Sequence, residues 1–113
     1  MQYIKDNMEI TDIYRIYIGS DNETNKINKE YMGIIESELN KYKFGYTIIN
    51  TKGMYQGIKE DSIIIEIIDF NIDNQLNGIT IYEHIKDISE SLKESLKQFQ
   101  ILITKQCIKY EVI

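Results

Sequence analysis

The chain predicts an α+β fold of ferredoxin-like βαββαβ type: a four-stranded antiparallel sheet with two helices on one face. Three observations carry that reading. Residues 27–42 and 81–99 repeat apolar side chains at three- and four-residue steps, the period of a helix with one buried stripe. Residues 13–19, 44–50, 62–68 and 100–113 are rich in β-branched and aromatic side chains, the composition of strands. Their order is strand, helix, strand, strand, helix, strand. Right-handed crossovers then put the first and third strands at the centre and the fourth and second at the edges.

The 113 residues make a single domain, 1–113, with one core and no room for a second. Residues 1–12 are weakly patterned and read as an N-terminal arm or edge strand. From Ile13 the run Ile-Tyr-Arg-Ile-Tyr-Ile alternates up to Gly19-Ser20. A polar loop follows, in which Thr24 or Asn25 can cap the first helix by accepting an orphan N–H of its first turn. Ile27, Tyr31, Ile34, Ile35, Leu39 and Tyr42 form its stripe. The second strand spans 44–50, and 52–61 reads as a glycine-hinged connection. The run from Ser62 to Ile68 hardly alternates, so it belongs at the centre of the sheet. Thr80 and Glu83 have the spacing of a capping box at the start of the second helix, whose stripe runs from Ile81 to Phe99. Along the last strand, Lys105 and Lys109 share one face.

Composition excludes several kinds of function. The net charge of −5 argues against binding to DNA or RNA, which requires a basic footprint. A single cysteine, Cys107, rules out an intramolecular disulfide. One histidine and one cysteine cannot assemble a closed zinc site. No stretch approaches the ~20 apolar residues of a membrane span, and the N-terminal residues are mixed and polar, so a cytoplasmic location is expected. No metal, cofactor or catalytic set is predicted. His84 and Glu83 are adjacent on a helix, so their side chains diverge. No serine sits in a nucleophile elbow, and the acidic loop with Asp69, Asn71, Asp73 and Asn74 lacks the ordered spacing of a calcium loop.

If both helices cover one sheet face, the charged residue on the first strand identifies the other. Arg15 belongs away from the core and brings Ile13 and Tyr17 with it. The same rule puts Ile64, Glu66 and Ile68 on the open face of the third strand, with Ile63, Ile65 and Ile67 beneath the helices. The two strands are neighbours, so Arg15 and Glu66 are expected to pair. A surface so apolar is usually covered by a partner or a ligand, which predicts a homo-oligomer, dimer or larger. Tyr55 stands between Gly53 and Gly57, where a tight turn presents the ring to stack on a planar ligand. The candidate ligand-binding residues are therefore Arg15, Tyr17, Tyr55, Glu66, Lys105 and Lys109. The cations would meet negative charge, and Tyr17 and Tyr55 would stack.

At Phe44-Gly45-Tyr46-Thr47, Gly53-Met54-Tyr55-Gln56-Gly57 and Glu60-Asp61-Ser62-Ile63-Ile64-Ile65-Glu66 the chain resembles a group of small uncharacterised bacterial and phage proteins. Their pattern is an aromatic-Gly-x-Thr strand, a Gly-x-aromatic-x-Gly turn, and Glu-x-Ser before an apolar strand. The match covers about residues 14–68, and Tyr55 stands where a Trp is often found. The resemblance implies a ferredoxin-like fold and a phage or mobile-element origin, and it supplies no catalytic residues. The leading expectation is a non-enzymatic, homo-oligomeric binding protein, a phage counter-defence factor that sequesters a small nucleotide-like ligand. The alternatives are a protein–protein inhibitor or adaptor acting on a host protein, and a small enzyme using Glu66 as acid or base.

Overall fold

A computed structural model describes residues 6–70 and 79–113. The elements are β1 (Glu9–Gly19), α1 (Lys29–Leu39), β2 (Thr47–Tyr55), β3 (Ile58–Ile68), α2 (Ile81–Ser95) and β4 (Leu102–Tyr110). They form the βαββαβ layout predicted from the residue pattern. The strands make one antiparallel sheet in the order β2-β3-β1-β4, with β1 and β3 central.

The register explains the core. Ile16 lies opposite Ile65, Ile18 opposite Ile63 and Tyr14 opposite Ile67, so these side chains share a face. All six are buried, and they pack with Tyr31, Ile35 and Leu39 of α1 and Ile81, Ile85, Ile88 and Leu92 of α2. Burying each isoleucine contributes about 1.5–3 kcal/mol, so this one layer holds both helices against the sheet. Ile63, Ile65 and Ile67 lie beneath the helices, as the rule from Arg15 predicts.

Several boundaries differ from expectation, each for a local reason. The α1 cap is Asn28, whose side chain accepts from the Tyr31 N–H at 2.8 Å. Thr24 and Asn25 cannot serve, because the Asp21 carboxylate draws 21–25 into its own turn and Asn25 takes a left-handed φ of 57°. The connection predicted at 52–61 is mostly strand. β2 continues to Tyr55 and β3 starts at Ile58, leaving Gln56 and Gly57 as the turn, with φ of 50° and 79°. Two successive positive φ values match the twist of the flanking strands, so two residues suffice. α2 begins on the expected capping box, with Thr80 and Glu83 bonded reciprocally. It ends at Ser95, before the predicted Phe99, because Lys97 turns left-handed at φ 54°. Phe99 thereby leaves the buried stripe and is 92% exposed. Residues 9–12 continue β1 and pair with β4. The part of the acidic loop from 71 to 78 lies outside the described residues. Among the described residues no helix is long and apolar enough to cross a membrane.

Candidate functional site

The sheet face away from the helices carries Ile13, Arg15 and Tyr17 on β1, with Ile64, Glu66 and Ile68 on β3. Arg15 lies directly opposite Glu66, Tyr17 opposite Ile64 and Ile13 opposite Ile68. Arg15 Nε donates to Glu66 Oε2 at 3.1 Å, forming the expected pair. Arg15 Nη1 also donates to Gln106 Oε1 at 2.9 Å on β4. A polar strip therefore crosses the sheet, continued by Thr47 opposite Glu66 and Thr104 opposite Arg15, with Ile64 and Tyr17 on one side of it and Ile68 and Ile13 on the other. The edge strands add Ile49 and Leu102 to this face, and both are exposed.

The other candidate residues divide. Lys105 lies opposite Tyr14 and Lys109 opposite Ile10, so both stand on the helix side of β4, across the sheet from Arg15. Lys105 Nζ is 3.6 Å from Asp12 Oδ2 and 5.9 Å above the Tyr14 ring, and Lys109 Nζ is 3.8 Å from Asp6 Oδ2. The Tyr14 hydroxyl and the Asp12 carboxylate hold the Lys105 ammonium proton above the ordinary lysine range. Neither lysine joins Arg15 around one ligand. Tyr55 closes β2 opposite Ile58, at the hairpin end of the sheet, whereas Glu66 pairs with Thr47 at the other end of β2. Tyr17 shares the face of Arg15 and Glu66 and is half-buried between Ile64 and Leu102.

The structure adds a cleft that the residue pattern did not assign. It occupies about 450 Å³ where β2 begins and β3 ends, between segment 43–47 on one side and Glu66, Ile68 and Phe70 on the other. After α1 stops at Leu39, the chain needs residues 40–46 to reach the edge of the sheet. That crossing leaves Phe44 buried against Tyr42, their rings 5.4 Å apart. Tyr46 is anchored by its hydroxyl, which donates to Asn40 Oδ1 at 2.8 Å. Phe70 is half exposed and meets Tyr110 edge-on at 5.3 Å. The walls are thus aromatic and aliphatic, and Lys43 stands at the rim. Glu66 is the only carboxylate among the lining residues, with its side chain 23% exposed. The signal for this site was in the sequence as the aromatic-Gly-x-Thr motif, whose four residues all line the cleft.

Glu66 uses Oε2 to accept from Arg15, while Arg15 itself does not line the cleft. A carboxylate beside aromatic surface suits a ligand that combines a planar ring with a positive charge. Among the described residues no cluster of His, Cys, Asp or Glu could hold a metal ion. His84 packs edge-on against Tyr42, with ring centroids 5.1 Å apart.

No family model matches the chain, and no curated protein matches it. Solved structures do. An apo phage SAM lyase matches at 17% identity over 98% of this chain and 97% of its own, with a TM-score of 0.61. A DUF3240 family protein from Shewanella baltica matches at 12% identity over 85% and 88%, with a TM-score of 0.50. The PII-like protein CPII from Thiomonas intermedia, bound to ADP, AMP and bicarbonate, matches at 11% identity over 95% and 99%, with a TM-score of 0.47. At such identities the first two likenesses are of fold, and they extend over nearly the whole of both chains.

Proposed function

We propose that this chain is a cytoplasmic, homo-oligomeric phage protein that binds an adenosyl-sulfonium ligand of the S-adenosylmethionine kind and cleaves it, depriving host defence enzymes of their methyl donor. The observation that carries this reading is the cleft. Its aromatic walls suit a purine ring, and Glu66, the carboxylate among its described lining residues, would offer the oxygen that Arg15 leaves unused to the sulfonium charge. The end-to-end likeness of fold to a phage SAM lyase supports the same ligand class. Lys43, at the rim, would meet the ligand's own carboxylate.

The chemistry fits a site without a catalytic set. When the C–S bond of a sulfonium breaks, its electron pair passes to sulfur, which departs as a neutral thioether. No protein group has to protonate it. The bond made in exchange comes from within the ligand, whose carboxylate closes a five-membered ring on the carbon that sulfur leaves. The protein's task is then to fold the ligand, exclude water and stabilise charge, which is catalysis by positioning and electrostatics. A second copy of the chain, packed on the open sheet face, would close the cleft from outside.

Calorimetric titration with S-adenosylmethionine and with S-adenosylhomocysteine tests the reading, together with a chromatographic assay for the released thioether nucleoside. The sulfonium should bind at least about tenfold more tightly than its neutral counterpart, and Glu66→Gln should abolish most of that preference, since one ion pair at an effective dielectric near 20 is worth a few kcal/mol before desolvation. Tight binding without release of the nucleoside would favour sequestration over cleavage. Failure of the wild-type protein to bind either compound would sink the proposal.

A further inference from the structure

We infer that Arg15 is a positioning residue that acts on the ligand through Glu66, an inference that rests on the reading of the cleft above. Glu66 lines the cleft and Arg15 does not, so the guanidinium stands behind the carboxylate. It donates from Nε to Glu66 Oε2 at 3.1 Å and from Nη1 to Gln106 Oε1 at 2.9 Å. These contacts hold it at two points, one on each neighbouring strand. Arg15 and Glu66 are direct cross-strand partners, and Gln106 lies opposite Ile13, one step along the same face.

A glutamate on a strand has three side-chain rotors. With one oxygen bonded to a guanidinium that is itself anchored, most of that freedom is lost during folding and not during binding. Only a planar, forked donor spans two acceptors on opposite sides in this way. A lysine ammonium would supply the charge without the geometry. Among the 13 basic residues Arg15 is the single arginine, and its fork meets two acceptors. The arrangement also leaves Glu66 Oε1 without a protein donor among the described residues.

Because the chain has one arginine, its side-chain Nε–H gives one resonance, assignable without ambiguity. In ligand-free protein that proton should exchange with water at least about tenfold more slowly in the wild type than in Glu66→Ala, as a bonded donor does. Equal rates would overturn the clamp whether or not any ligand binds. A second arm titrates S-adenosylmethionine and S-adenosylhomocysteine into wild type, Arg15→Lys, Glu66→Gln and the double variant, with thermal melts to confirm folding. Arg15→Lys, which keeps the charge and loses the fork, should weaken sulfonium binding about five- to tenfold, change thioether binding less than about twofold, and add less than about twofold in the Glu66→Gln background. Additive losses would mean that Arg15 meets the ligand itself, which overturns the inference and leaves the site intact. If the wild type binds neither compound, the nucleoside reading falls, and the exchange rate alone decides the clamp.

Discussion

Tyr31 shows how one polar group can tie three elements together. Its hydroxyl donates to the Gly19 carbonyl at the end of β1, at 2.5 Å, and accepts from Gln98 Nε2 at 2.9 Å beyond α2. Gln98 also donates to the Ser20 carbonyl. Removing the hydroxyl takes a donor from the half-buried Gly19 carbonyl and leaves Gln98 Nε2 with the Ser20 carbonyl, so Tyr31→Phe should cost about 1 kcal/mol, measurable by urea denaturation at neutral pH. The same site makes a pH prediction. Burial first, then the negative charges of Asp21 and Glu60, raises the Tyr31 pKa well above the ordinary tyrosine range. The folded chain therefore holds the phenol proton more tightly than the unfolded chain. Stability from the neutral phenol is fully present below the unfolded value of about 10 and is lost as pH rises from there towards the folded value. Burial also raises the pKa of Tyr42, with Glu38 and Asp87 adding to it, so some decline will remain without Tyr31. The melting temperature of Tyr31→Phe should thus fall less steeply than that of wild type between about pH 9.5 and 11. Parallel slopes would show that the hydroxyl is not held as described.

Among the elements, the end of α2 was the least legible. The Gln98 N–H bonds to the Lys93 carbonyl at 2.9 Å and the Lys97 N–H to Glu94 at 3.2 Å, a Schellman pair around a left-handed residue. Lysine carries a Cβ penalty there, so Lys97→Gly should stabilise the protein by about 0.5–1 kcal/mol, seen as a higher denaturation midpoint with unchanged slope. Glycine is the residue that marks such an end, and its absence let the apolar period run on to Phe99. The fold itself was readable because Ile63, Ile65 and Ile67 and the α2 stripe repeat with the periods of their elements. The face of the β4 lysines was hard to read for a different reason. Alternation shows that Lys105 and Lys109 share a face but not which one. That depends on the register with β1, where a slip of one residue exchanges the faces. Arg15 opposite Thr104 puts the lysines on the helix side. The cleft needed tertiary information, because Phe44, Glu66 and Phe70 meet only once the crossing from α1 to β2 is in place.

For the whole molecule, the open question is what lies on the sheet face away from the helices. Both helices pack on the other side, yet this face presents Ile49 at 37% and Leu102 at 59% exposure around the half-buried Ile64 and Ile68. At its centre stand one cation and one anion side by side, Arg15 and Glu66. The pair is satisfied within one chain, so covering it with a second copy leaves no unpaired charge. Apolar flanks and an internally paired centre favour a second copy of the chain over water. The double variant Ile49→Lys, Leu102→Lys tests this, because both positions are exposed and the isolated fold should tolerate the change. In an interface each lysine would lose its hydration without gaining a partner, a cost of several kcal/mol that a standard interface cannot absorb. Light scattering after size exclusion should find wild type at twice 13.4 kDa or more, and the double variant at the mass of one chain. Met54→Lys, also exposed but on the helix side of edge strand β2, should leave the wild-type mass unchanged. A monomeric wild type at tens of micromolar would remove the self-association argument. The cleft would then have to exclude water with its own aromatic walls, and nucleoside binding would not depend on protein concentration.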